Sequence, residues 1–468
     1  MTQNYEIAPL ACEAYVGTTG HLIRLRGLSS LLVLIAQKLW MGASGLMTTV
    51  LVATCLTSEL QGWYYALLSL AATYTLFDLG FSNVLIGLVS KYAHGARSID
   101  GGNIDGKGAN SLRALVEKSL RLYRYLAVGY FVVMIPAGLL FFSGRAEHEG
   151  LQWEQWAVAW LGLGFVTAVS LTMTPFLAIV EGSGRVKEVA LVRLIHGVAG
   201  SLFCWIVLWN GGGLWAAMMT PAFGVIVMSL WLKRRFPTLP VTRFDRSQLS
   251  IRWRTDVWPQ QWRFGMGWTA SYLLTQIYTP ILFYYSGTVA AGQMGLSFSI
   301  ANLLAVVAHV WITRHVPAMA HAATGKDWNT LDRLFKGDLK QSLVFFLFGS
   351  IVLCAMVQLI EGTSYGNRIL PFWPFAGLLC ISLINHVTGA LAAQLRAFQR
   401  EPLVKIVVLG AIAIVPLAVW VAPSHGAAGV IAVIISVQAG FVLPAVVFVW
   451  KRCQVTFRGQ SMSCITTP

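Results

Sequence analysis

Charge is scarce in this chain of 468 residues: 11% are Asp, Glu, Lys or Arg, against 56% hydrophobic. A soluble globular domain carries about 25% charged residues, so the composition points to a bilayer as the solvent. Paired cysteines are also missing. The seven (Cys12, Cys55, Cys204, Cys354, Cys380, Cys453 and Cys464) are scattered in or beside apolar runs with no Cys-x-x-Cys, so neither a disulfide framework nor a zinc or other metal site is expected. The Gly-x-x-x-x-Gly-Lys spacing occurs once, at Gly101–Lys107, but Gly108 stands where a phosphate loop has Ser or Thr, so no phosphate loop and no ATP hydrolysis by this chain is expected. The first twenty residues carry Glu6 and Glu13 and lack a basic start followed by a short apolar core and a cleavage site; the first long apolar run is expected to stay as an uncleaved anchor. A net charge of +15 would suggest nucleic acid in a soluble protein, yet the basic residues sit in short tracts between apolar runs. They are topology signals, and no nucleic-acid partner is expected.

Apolar runs long enough to cross about 30 Å of hydrocarbon at about 1.5 Å per residue predict an all-α, polytopic membrane protein of about twelve helices. The first six run from Leu28 to Cys55, Gly62 to Val89, Leu122 to Phe142, Trp156 to Val180, Val189 to Trp209 and Leu214 to Leu232. The second six run from Phe264 to Tyr285, Gly292 to Thr313, Ser342 to Ile360, Leu370 to Ala393, Leu403 to Ala422 and Ala428 to Trp450. With both termini in the cytoplasm, 31 of the 34 Lys and Arg residues fall in cytoplasmic loops, tails or adjoining helix starts; Arg145 and Arg368 fall outside and Lys38 lies within the first span. Basic loops are retained on the cytoplasmic side, so this split sets an N-in, C-in orientation. The outer loops hold Glu59, Glu147, Glu149, Glu154 and Glu361. Outer-interface anchors are expected at Trp63, Tyr64, Tyr65, Trp153, Trp156, Tyr284, Tyr285, Trp373 and Trp420.

The basic tract 233–263 divides the chain into an N-terminal lobe (1–232) and a C-terminal lobe (264–450), with a cytoplasmic tail at 451–468. In both halves the longest remaining cytoplasmic loop follows the second helix and contains an amphipathic stretch. Leu112, Leu115, Val116 and Leu120 match Leu331, Leu334, Phe335 and Leu339 at identical offsets along one helical face. Upstream, Gly62 and Ser69 match Gly292 and Ser299. A parallel internal repeat is expected, related by an axis along the membrane normal and enclosing a central path.

Charge enters the membrane at few places. Lys38 lies roughly 18 Å along its helix from Arg26, and Asp78 roughly 20 Å from Lys91. A lysine at that depth needs a partner or a wet cavity. Two readings stand: an ion pair between Lys38 and Asp78, or Lys38 facing a hydrated lumen to meet an anionic substrate while Asp78 tunes it or exchanges a coupling proton. Glu181, Arg193, Arg314, Arg396 and Lys405 lie within a turn or two of the cytoplasmic interface, where the plainer role of the four cations is snorkelling. Arg193 and Arg314 are carried beside Lys38 as substrate-binding candidates, and Glu181 and His309 beside Asp78 as ion-coupling or charge-pair candidates. For His309, a hydrogen bond between helices is the alternative. Prolines 136, 175, 221, 280, 374, 416 and 444 fall inside spans, where they are expected to kink helices.

Several stretches resemble the bacterial polysaccharide flippases of the multidrug/oligosaccharidyl-lipid/polysaccharide superfamily. They are Ser58, Glu59, Gly62–Tyr65 and Ser69 followed by Asp78–Phe81; Pro175–Leu177 with Glu181, Gly182 and Gly184; Ala291–Gly295; Leu331, Asp332, Leu334 and Phe335; and Leu395–Ala397 with Glu401 and Pro402. The resemblance spans most of the chain in order. It implies a two-lobed transporter of twelve to fourteen helices that turns an undecaprenyl-diphosphate-linked oligosaccharide from the cytoplasmic to the periplasmic leaflet of the bacterial inner membrane. It implies no cofactor, and as partners the lipid-linked oligosaccharide, membrane lipids, and a polysaccharide polymerase and other assembly proteins. Such proteins hold a cationic central cavity, for which Lys38 is the best-fitting position here. A multidrug antiporter of the same superfamily is the nearest rival. A membrane glycosyltransferase or polymerase would need a large outer loop, whereas the longest here, near Ser143 to Gln155, is short.

Overall fold

A backbone N–H or C=O without a partner is costly in hydrocarbon, so a chain this apolar closes its hydrogen bonds within helices. A computed structural model describes residues 10–93, 96–100, 103–106, 109–235, 257–396, 398 and 402–463. The helices of the first half are α1 (Leu10–Cys55), α2 (Ser58–Ala71), α3 (Tyr74–Asp78), α4 (Phe81–Ala93), α5 (Ala109–Glu149), α6 (Trp153–Gly182), α7 (Val186–Trp209) and α8 (Ala216–Arg235). Those of the second are α9 (Trp258–Thr275), α10 (Tyr278–Tyr285), α11 (Thr288–Thr313), α12 (Val316–Thr324), α13 (Trp328–Ile360), α14 (Phe372–Arg396), α15 (Val404–Val437) and α16 (Leu443–Ser463). Every expected span falls on one or more of them. Eight helical stretches among the described residues are long and apolar enough to cross a membrane, and the bent run α2–α4 makes a ninth. One of the eight, Val404–Thr456, has 53 residues, enough for two crossings, and is interrupted at Gly426 (φ 54°, ψ −144°). The chain is an all-α, multi-pass membrane protein. Most of the basic linker, residues 236–256, lies outside the described residues.

Four local features depart from the sequence reading. The second span is not continuous: Leu79 and Gly80 take left-handed backbone (φ 47° and 68°) between α3 and α4, bending the pair by 40°. No proline lies there. Gly80 is required by a neighbour, since a Cβ on it would sit 2.2 Å from Trp268 Cδ1 of α9. The seventh span breaks at Gln276–Ile277, four residues before Pro280, whose missing N–H leaves the carbonyl of residue 276 without its helical donor. By contrast Pro136, Pro175 and Pro221 lie within uninterrupted helices. An antiparallel hairpin, β1 (Ala96–Asp100) with β2 (Asn103–Gly106), precedes α5.

The fourth departure is that the two amphipathic stretches are not separate loop elements. Each is the first part of the helix that becomes the next span, α5 and α13 respectively. Asp327 starts α13 by accepting the Thr330 backbone N–H at 3.0 Å, and hydrogen bonds from Thr330 hold its carboxyl below the ordinary value.

Packing divides the molecule by depth. At the end carrying residues 56–62, called outer here because the charge split assigns it to the outside, one apolar core draws buried side chains from all twelve expected spans: Leu51 and Trp63 from the first two, Leu282 and Met294 from the seventh and eighth, Ile414 and Val430 from the last two. Toward the inner end there are two cores. One is built by α4, the first turns of α5, the ends of α6 and α8 and the start of α7, with Leu85, Leu112, Leu115 and Val180 buried in it. The other is built by the end of α11, α12, the first turns of α13, the end of α14 and the last span, with Ile312, Leu331, Phe335 and Val446. The matched stretches thus occupy equivalent places in two equivalent inner cores.

Gly62 and Gly292 meet directly. A Cβ on Gly62 would lie 1.9 Å from the Thr288 carbonyl oxygen, and one on Gly292 would lie 2.9 Å from the Gly62 nitrogen. Counterparts related by a two-fold axis touch only near that axis, so this contact is where a repeat axis would pass.

Candidate functional site

The first span grades from buried to open along its length. Leu51 and Val52 are buried in the outer core, whereas Lys38, Leu39 and Met41 toward the inner end are exposed. On one side α1 is fixed to α7: the Trp40 and Trp205 rings lie 6.2 Å apart and Trp205 Nε1 donates to Thr48 Oγ1 at 2.8 Å. Lys38, Gly42, Gly45 and Thr49 form a different stripe at helical spacing. A Cβ on Gly42 would lie 3.9 Å from Leu303 Cδ1 of α11, and a Cβ on Gly45 would meet nothing within 4 Å. Lys38 therefore sits on the α11-facing stripe, one turn inward of the point where the two helices touch, where each half already has its own core.

The ion pair between Lys38 and Asp78 is not formed. Asp78 accepts a 2.5 Å hydrogen bond from the Tyr123 hydroxyl of α5 and a 3.1 Å bond from Ser82 Oγ across the break in the second span. Among the described residues Lys38 has no carboxylate within ion-pair distance. The physical reason is local. The left-handed residues after Asp78 fold its carboxylate back onto Ser82, and Tyr123 supplies a neutral donor from within the same half, so the acid needs no cation. Asp78→Ala is expected to destabilise the protein by about 1–3 kcal/mol by leaving the buried Tyr123 hydroxyl unsatisfied, whereas Lys38→Ala leaves stability unchanged. Thermal unfolding in detergent checks both; an equal loss from the two variants would restore the pair.

The remaining candidates fall into separate groups. Glu181 and Arg193 pair with each other at 2.9 Å between α6 and α7. Arg314 donates to Asp338 Oδ1 at 3.0 Å and to Gln341 Oε1 at 2.6 Å, and His315 Nδ1 lies 2.9 Å from the same carboxylate. Asp338 is buried, at 2% exposure. Arg193 and Arg314 are thus matched by carboxylates in this state and are not brought to Lys38. His309 meets a second imidazole, His386 of α14, with ring centroids 5.5 Å apart.

The outer end is closed by polar contacts that sequence reasoning missed. Arg145 Nη2, at the end of α5, donates to the Phe283 and Tyr284 carbonyls at 3.0 and 2.8 Å. Arg368 reaches in the opposite sense, donating through Nη1 to the Leu56 carbonyl at the end of the first span. Buried Gln61 donates to the Gly292 and Arg368 carbonyls at 2.9 and 3.0 Å. Glu149 accepts from Trp63 Nε1 at 2.9 Å and from Thr288 Oγ1 at 2.8 Å. Every one of these contacts except the Trp63 bond joins the first half to the second.

Arg145 and Arg368 were the two cations out of place in the charge count, and that misplacement was the available signal. The expected interfacial anchors also divide. Trp153, Tyr284, Tyr285, Trp373 and Trp420 are exposed, but Trp63, Tyr64, Tyr65 and Trp156 are buried. Trp63 packs edge-on to Phe283 at 5.0 Å and belongs to the closure.

Solved membrane transporters share this architecture. The structure resembles the lipid II flippase MurJ in an inward closed conformation, with a TM-score of 0.64 and 13% identity over 90% of this chain and 87% of that one. It resembles the MATE multidrug transporter DinF-BH, solved in a complex, with a TM-score of 0.60 and 13% identity over 92% and 96%. A third likeness is to an inward-facing multidrug resistance MATE family transporter of the MOP superfamily, with a TM-score of 0.57 and 14% identity over 92% and 99%. At these identities what is shared is the fold of MOP-superfamily transporters. No family profile matches the sequence, and no curated protein matches it either.

Proposed function

We propose that this chain is a transporter, not an enzyme: a flippase of the bacterial inner membrane that carries an undecaprenyl-diphosphate-linked oligosaccharide from the cytoplasmic to the periplasmic leaflet by alternating access. Its two six-helix lobes are residues 1–232 and 264–450, joined by the basic linker 233–263 and followed by a tail at 451–468, with both termini in the cytoplasm. Lys38 carries the reading. It is a lysine at mid-membrane depth, exposed, free of any carboxylate among the described residues, and directed along the stripe that faces the opposite half where the inner cores are separate. A structural ion pair would have consumed that charge.

In this state the head group enters between the inner halves and its diphosphate meets Lys38. At 4 Å a unit charge pair is worth about 1 kcal/mol in water and about 4 kcal/mol at an effective dielectric of about 20. One lysine therefore gains strength as the lobes close around it. Arg193 and Arg314, held at the inner rim by Glu181 and Asp338, supply cations that can exchange a carboxylate for a substrate phosphate as it passes. Likeness to the lipid II flippase MurJ is in keeping with a lipid-linked cargo, and the polymerase and assembly proteins that would consume it act on the periplasmic side.

The test is reconstitution. Vesicles holding the purified protein and a labelled lipid-linked oligosaccharide should expose it to an enzyme added outside faster than empty vesicles do. Lys38→Gln is expected to slow exposure about tenfold or more, and Lys38→Arg, which keeps the charge, less so. A second reading, a multidrug cation antiporter, is favoured by the half-buried carboxylate Asp78 and by the MATE likenesses. Export of a cationic dye that Asp78→Asn abolishes, with no exposure of the oligosaccharide, would decide for it.

A further inference from the structure

The second half of the chain buries an imidazole that packing does not require. His386 of α14 is 4% exposed, its ring lies stacked on Phe346 of α13 with centroids 5.7 Å apart, and its Nε2 hydrogen-bonds Ser342 Oγ at 3.0 Å. Its Nδ1 is buried with no hydrogen-bond partner. Buried polar atoms are nearly always paired, so an orphaned one calls for a role. The second ring, His309 of α11, stands edge-on at 5.5 Å and is half-buried. Gly389 makes room for it: a Cβ there would lie 3.4 Å from His309 Cε1. Three helices therefore bring two imidazoles and a hydroxyl to one point in the inner half.

We propose that His386 and His309 form a proton-binding site through which transport is coupled to a proton gradient; the coupling rests on the transporter reading above, while the site does not. With Nε2 donating to Ser342, the lone pair on Nδ1 of His386 is what takes the proton. It arrives from outer-side water when the outer closure parts and leaves to cytoplasmic water past half-exposed His309, so the cycle moves one proton and oxidises nothing. Two neighbouring rings titrate as a pair. With the ring centroids 5.5 Å apart, a proton on one ring repels a second on the other, so the pair takes one.

The other groups on the packed elements are accounted for. Asp338, one turn before Ser342 on α13, is occupied by Arg314 and His315. Lys38 of α1, His321 of α12, Arg333, Lys336 and Lys340 of α13, Arg396 of α14, Lys405 of α15, and Lys451 and Arg452 of α16 are exposed. Gln438, in the π turn between α15 and α16, is buried and uncharged. A metal is not the ligand this set fits, because no group of three His, Cys, Asp or Glu that could hold one exists among the described residues.

Two measurements on the full-length protein test the proposal. In the vesicle assay, a gradient acid on the outer face should accelerate oligosaccharide exposure about tenfold per pH unit. His386→Asn and His309→Gln should keep the rate seen without a gradient and lose the acceleration. Variants that keep it, or a wild type that transports with no response to the gradient, overturn the coupling. The site is read separately by nitrogen-15 NMR of labelled histidine in detergent. Between about pH 4 and pH 8 one imidazole step is expected that is absent in His386→Asn and displaced in His309→Gln. Rings that take up no proton in that range overturn the site. Should the wild type expose no oligosaccharide at all, the flippase reading falls and the titration still decides the site. If His386→Asn does not fold, His309→Gln, at the less buried ring, carries both comparisons.

Discussion

Gly62→Val is expected to hold the outer end open and to reduce transport below detection. Both atoms a Cβ would strike first, the Thr288 oxygen at 1.9 Å and carbon at 2.6 Å, are backbone, so no rotamer change relieves the clash and α2 and α11 must separate. Overpacking a tight contact costs about 1–3 kcal/mol. Here the cost falls on the closed outer state alone, since the inner cores do not include this contact. In a background lacking the native cysteines, Ala291→Cys, fully buried in the outer core, reports the change. Its labelling by an impermeant maleimide from outside should rise about tenfold or more when Gly62→Val is added. Unchanged labelling together with normal transport would remove the Gly62 contact from the gating account. Gly292→Ala should act in the same direction and more weakly, because its nearest obstruction lies at 2.9 Å.

Removing both outer cations, Arg145→Ala with Arg368→Ala, is expected to shift the same equilibrium without a wedge. A hydrogen bond from a charged donor contributes about 1.5–3 kcal/mol, and partial exposure lowers that to about 1 kcal/mol for each arginine here. The two clamps do not share partners, so their losses should add to about 2 kcal/mol, roughly 30-fold in the closed-to-open ratio at the outer end. The double variant should label at Ala291→Cys faster than either single one and should run faster through the opening step while closing poorly. Arg145→Lys should retain the clamp only in part, because both bonds leave the terminal Nη2, which lies farther out along the side chain than a lysine ammonium. A double variant indistinguishable from wild type in labelling would show that the aromatic cluster around Trp63 closes the outer end by itself.

How much of this was legible beforehand follows from which signals are local. Span positions are set by runs of apolar residues, so every expected helix falls on one. The matched faces at Leu112–Leu120 and Leu331–Leu339 were also visible, because helical period is written in sequence. Breaks that depend on a partner were not: Gly80 is left-handed against Trp268, nearly two hundred residues away in sequence. The Lys38 and Asp78 pairing failed for a related reason. Equal depth along two helices says nothing of azimuth, and Tyr123, a neutral residue, was not weighed as the acid's partner. His386 was passed over because a single histidine in an apolar run is unremarkable until its unpaired nitrogen and its neighbour His309 are seen together. Trp63 carried the pattern of an interfacial aromatic, and only its packing against Phe283 reveals a closure element.

The division into one outer core and two inner cores has a consequence for the surrounding lipid. With the orientation proposed above, two separate inner cores against one outer core imply a larger cross-section in the cytoplasmic leaflet than in the outer one, and the reverse transition would transfer area between leaflets. The conformational equilibrium is therefore sensitive to lateral pressure: lipids with small head groups and splayed chains, packed into one leaflet only, act on it as an effector that binds no site. Asymmetric bilayers thus become a means of setting the resting state of this protein without touching a residue of it.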